Sequence, residues 1–60
     1  MSQISTSSQE VVLATKKIAE LRRQGWQEGF VKREVLKLLK SQGYSEFHAE
    51  LTYNYSKDLV

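Results

Sequence analysis

Sixty residues bound this chain to one domain, and a domain of that size buries only about 60% of the surface its unfolded form exposes. The absence of cysteine and proline excludes a disulfide framework and a thiolate metal site, and leaves long helices uninterrupted. The formal net charge of +2 is unevenly spread: between residues 11 and 45 eight Lys and Arg stand against three Glu, whereas beyond them Lys57 faces Glu46, Glu50 and Asp58.

Taken in chain order, Met1 to Ser8 are mostly small and polar and predict a flexible tail over residues 1–8, ahead of a helical bundle over residues 9–60. This start has neither a basic nor an apolar leader region, and no stretch approaches the ~20 apolar residues of a membrane span. With the missing cysteines, that fits a cytoplasmic location without membrane partners. Ser7 and Glu10 have capping-box spacing, so the first helix is expected to begin there. Val11, Ala14, Ile18 and Leu21 form its apolar stripe, with Lys16, Lys17, Glu20 and Arg23 opposite.

Leu21-Arg-Arg-Gln-Gly-Trp-Gln-Glu28 recurs in edited form as Leu39-Lys-Ser-Gln-Gly-Tyr-Ser-Glu46. A glycine four residues after a leucine, followed by an aromatic, suits a helix end. Gly25 and Gly43 would take the left-handed backbone of C′, and Trp26 and Tyr44 would occupy C″. The second helix is expected over residues 30–42 with Gly29 as N-cap, burying Val31, Val35, Leu38 and Leu39. Its other side carries Arg33, Lys37 and Lys40 at i, i+4 and i+7. Ser45 then caps a third helix from Glu46 to about Lys57. There Phe47, Leu51, Tyr55 and Leu59 recur every four residues, with Ala49 and Tyr53 opposite.

The expected fold is therefore all-α: a small three-helix bundle with a core of Ile18, Leu21, Trp26, Val31, Val35, Leu38, Leu39, Phe47, Leu51 and Tyr55. The segment Leu39-x-x-x-Gly43-Tyr44-Ser45, with Ala49 six after the glycine, resembles the Leu-x-x-Met-Gly-Phe opening of ubiquitin-associated domains. Leu21-x-x-x-Gly25-Trp26, with Val31, Val35 and Leu36 downstream, resembles it too. The departures are that no methionine precedes either glycine and that the second helix is about two residues longer. The resemblance implies a UBA-like bundle shape from Ile18 to Leu59; ubiquitin binding does not follow from it.

Catalysis is not expected. The one histidine, His48, and Asp58 are ten residues apart, which places them about 15 Å apart along one helix. A bundle of this size also leaves little room for a substrate cavity of ~300 Å³. No metal, cofactor or small-molecule substrate is implied, since Glu46, His48 and Glu50 lack ligand spacing.

Two binding readings remain. In the first, Arg23, Arg33, Lys37 and Lys40 contact the phosphates of a nucleic acid or another anionic partner. A helix-turn-helix variant would make Thr52 to Tyr55 a turn and open a recognition helix at Ser56. In the second, an aromatic-apolar surface around Tyr53, with Trp26 and the Gly25–Gly29 loop, binds a protein partner or a second copy as a homo-oligomer.

Overall fold

A computed structural model of the chain describes residues 8–60, which form three helices: α1 (Gln9–Arg23), α2 (Glu28–Ser41) and α3 (Glu46–Ser56). The tail expected over residues 1–8 lies, apart from Ser8, outside the described residues, and so does the proposed capping residue Ser7. Ser8 is the N-cap of α1, and its carbonyl accepts from Val12 N–H at 2.9 Å. The Glu10 carboxylate instead stands 3.2 Å from His48 Nε2.

Both glycine stops form as the repeated motif predicts. Gly25 and Gly43 have φ of +92° and +100°. Trp26 N–H donates to Leu21 C=O, and Gly25 N–H to Arg22 C=O. Tyr44 to Leu39 and Gly43 to Lys40 repeat the pattern. These are the paired bonds of a Schellman motif, which satisfy carbonyls that the helix end would otherwise orphan.

Each helix packs on both others. Glu10 meets His48 near the start of α1 and α3, and Arg22 Nη1 donates to Val60 C=O near their far ends. Those two contacts show α1 and α3 running the same way, with α2 returning between them. Ala14, Ile18 and Leu21 of α1 meet Val31, Val35 and Leu39 of α2, and Ala49 and Tyr53 of α3 close the core. Leu13, Phe30, Leu36 and Tyr44 pack against it from the margin. No helix among the described residues is long and apolar enough to cross a membrane.

Four expectations are corrected. The second helix begins at Glu28, with Gln27 as N-cap in place of the expected Gly29. More consequentially, α3 turns its other face inward. Phe47 is 71% exposed, and Leu51, Tyr55 and Leu59 are also exposed, whereas Ala49, Thr52, Tyr53 and Ser56 are buried. Of the three side-chain hydroxyls buried on this face, two find acceptors: Thr52 Oγ1 donates to His48 C=O at 2.9 Å and Tyr53 Oη to Glu28 Oε2 at 2.5 Å, whereas Ser56 Oγ has no partner among the described residues. Trp26 also leaves the expected core, with 50% of it in solvent, because its ring lies over Phe30 at the bundle's edge. Leu38 is only half-buried beside the fully buried Leu39.

α3 is continuous from Glu46 through Ser56. Thr52 to Tyr55 are thus helical, and the helix-turn-helix variant has no turn to stand on.

Candidate functional site

The outward side of α2 follows from its heptad-like spacing. Burying Val31, Val35 and Leu39 leaves Arg33, Lys37 and Lys40 pointing away from the core, and all three are exposed. Together with Gly29, Lys32 and Leu36 they line an open groove of about 450 Å³. Leu36 is the large apolar side chain of this lining, and the others that bear side chains are cations. Among the described residues Arg33, Lys37 and Lys40 form no ion pair, whereas Lys32 Nζ is held 3.3 Å from Glu50 of α3. A second depression, about 260 Å³, lies on the α1 side of α2 and is lined by Lys17, Glu34, Lys37, Leu38 and Ser41. Lys37 thus borders both concavities.

Of the four cations expected to act together, the structure places three in one groove. Arg23, the last residue of α1, lines neither depression. Lys17 and Lys32, which sequence reasoning did not select, adjoin the basic face instead. Their signal is weak in one dimension, because Lys17 reaches the face only through the packing of α1 on α2.

Trp26 precedes α2 and packs on its first turn. Its ring stacks on Phe30 with centroids 4.4 Å apart and planes inclined at 29°, and its Nε1–H donates to Gln24 Oε1 at 3.0 Å. Phe30, Arg33 and Lys37 follow at i, i+3 and i+7, a single helical stripe.

Tyr53, expected as an exposed contact, is 3% exposed. Its hydroxyl joins a polar knot that sequence reasoning missed. Arg22 grips Glu28 through Nε–H to Oε1 at 3.2 Å and Nη2–H to Oε2 at 3.0 Å, while Tyr53 donates to the same Oε2. The guanidinium, and then the phenol, hold the Glu28 carboxyl below its ordinary value. Burial, reinforced by the bond to Glu28, pushes the Tyr53 phenol up to about 12. The bonds that Arg22 donates to Glu28 likewise raise the guanidinium above its ordinary value. This knot ties the end of α1 and the start of α2 to α3 and, through Arg22, to Val60.

The aromatic-apolar surface therefore lies elsewhere than around Tyr53: it is the outer stripe of α3, Phe47, Leu51 and Tyr55. His48 is half-buried, stacked on Tyr44 with centroids 5.1 Å apart and bonded to Glu10. Among the described residues no three His, Asp or Glu side chains come together as a metal-ion site.

These features define a small all-α three-helix bundle with a cationic groove on its second helix and an apolar stripe on its third. No family model, curated protein or solved structure matches the chain.

Proposed function

We propose that this chain is a non-catalytic binding module whose α2 face engages the phosphate backbone of a nucleic acid. The observation that carries the reading is the trio of Arg33, Lys37 and Lys40, exposed and, among the described residues, without an ion-pair partner around the groove that Leu36 also lines. They span about 10 Å along the helix axis. A nucleic-acid strand offers a phosphate every ~3.4 Å of duplex axis, so three cations can be satisfied at once. Of the acidic side chains, Glu28 is held by Arg22 and Glu10 by His48, Glu34 lines the neighbouring depression, and Glu50 pairs with Lys32 at the groove's own edge.

The test is fluorescence anisotropy of labelled mixed-sequence oligonucleotides, single-stranded and duplex, across a salt series. Three neutralised phosphates give a slope of log affinity against log salt near −2 to −3. Arg33→Glu with Lys37→Glu should abolish binding without unfolding an exposed face. Salt-insensitive binding, or binding unaffected by the double reversal, would refute the assignment.

A second reading rests on the outer stripe of α3. Phe47, Leu51 and Tyr55 stand at i, i+4 and i+8 and are all exposed, an arrangement suited to a protein partner or to a second copy of the chain. Sedimentation equilibrium distinguishes the self-association form: a mass that rises with concentration, and ceases to rise in Phe47→Ser, supports it. A constant monomer mass removes it.

A further inference from the structure

We infer that the preferred ligand of the basic face is a single-stranded nucleic acid, with one unpaired base stacked on Trp26. This deepens the reading of α2 as a phosphate-binding face and rests on it. Phe30 covers one side of the indole at stacking distance, yet half of Trp26 remains in solvent, so its other side is open. The indole Nε1–H donates to Gln24 Oε1 at 3.0 Å, a bond between two exposed side chains that keeps the ring at the surface.

The position of the platform matters as much as its exposure. Trp26 is stacked on Phe30, and Arg33 and Lys37 lie one and two turns further along the stripe that Phe30 begins, with Lys40 beyond them. A strand whose base rests on Trp26 would run its phosphates along this row of cations. The pairing of an aromatic platform with a cationic track is how single strands are bound without sequence readout. Bases inside a duplex are stacked on each other and hide the face that Trp26 would take. Of the acids close by in sequence, Glu28 has its charge taken up by Arg22 and so repels the strand less, while Glu34 lines the depression on the α1 side of Lys37.

Trp26 is the sole tryptophan, so intrinsic fluorescence reports on it alone. Titration with oligothymidylate at low salt should quench that fluorescence. Inorganic polyphosphate, which has charge and no bases, should compete for the cations and leave the emission nearly unchanged. By anisotropy, labelled oligothymidylate should bind several-fold tighter than a duplex of equal length. Trp26→Leu should weaken the single strand roughly tenfold and leave duplex affinity within about twofold, and Trp26→Phe should restore most of the loss. Circular dichroism melts of both variants establish that they are folded. Equal, salt-sensitive binding of strand and duplex without quenching would overturn the stacking inference and leave the phosphate-binding face standing. Absence of binding to every probe at low salt would overturn both.

Discussion

Removing the Tyr53 hydroxyl probes the contact that decides how α3 sits. Tyr53 is buried, and its hydroxyl reaches Glu28 Oε2 at 2.5 Å, an oxygen that also accepts from Arg22. A hydrogen bond to a charged group contributes about 1.5–3 kcal/mol. Here the carboxylate is half in water and keeps its guanidinium partner when the phenol is lost, which places the cost of Tyr53→Phe lower, at about 1–2 kcal/mol. For a domain of this size that is a fall in Tm of roughly 4–16 °C. The assay is thermal and urea unfolding of a double-mutant cycle with Glu28→Ala. In the Glu28→Ala background the hydroxyl has lost its acceptor, so Tyr53→Phe should cost nothing or stabilise slightly. A wild-type cost below about 0.3 kcal/mol, or equal costs in both backgrounds, would refute the knot and with it the inward placement of Tyr53.

Other expectations follow from the same structure. Leu39→Ala empties a fully buried position and should cost ~2–5 kcal/mol, most of the stability of a domain this small. Phe47→Ala on the exposed stripe should change unfolding by no more than about 0.5 kcal/mol; a cooperative melt near wild type for Leu39→Ala, or a large loss for Phe47→Ala, would contradict the assigned faces. Gly43→Ala must hold a side chain at φ +100° and should destabilise by about 1–2 kcal/mol. Gly29→Ala lies inside α2 with open space around it and should stabilise by about 0.5–1 kcal/mol; chemical denaturation that ranked the two variants the other way would refute the cap geometry. In alkali, one of the three tyrosines should ionise only near pH 12, a step absent from the tyrosinate absorbance of Tyr53→Phe. Because folding raises this pKa, the associated stability is whole below pH 10.0 and is lost as pH rises through about 12. Glu28 has the opposite sign: its contribution is whole above 4.5 and is lost as pH falls through its depressed value.

The helix stops were legible because a Schellman cap has a local signature, a glycine at C′ with a leucine four residues earlier. The cationic face of α2 was legible for a similar reason, since i, i+4 and i+7 spacing places Arg33, Lys37 and Lys40 together whatever the helix packs against. The start of α2 was readable too, although the nearest glycine suggested otherwise. The repeated octet aligns Gln27-Glu28 with Ser45-Glu46, and both pairs are an N-cap and first helical residue. The inward face of α3 was not legible, because apolar residues lie on both sides of that helix. Periodicity favours Phe47, Leu51 and Tyr55. The buried face, Ala49, Thr52, Tyr53 and Ser56, brings the phenol to Glu28, a partner that exists only in the assembled bundle. Arg22 and Glu28 were hidden in the same way, as their role depends on Tyr53, which is distant in sequence.

The central claim, that the α2 face binds a nucleic-acid backbone, is tested most directly by amide NMR of the labelled protein titrated with a short oligonucleotide at two salt concentrations. The account predicts salt-sensitive shifts at Arg33, Lys37 and Lys40, with the outer stripe of α3 undisturbed. Absence of shifts at low salt, or shifts confined to Phe47, Leu51 and Tyr55, would contradict it.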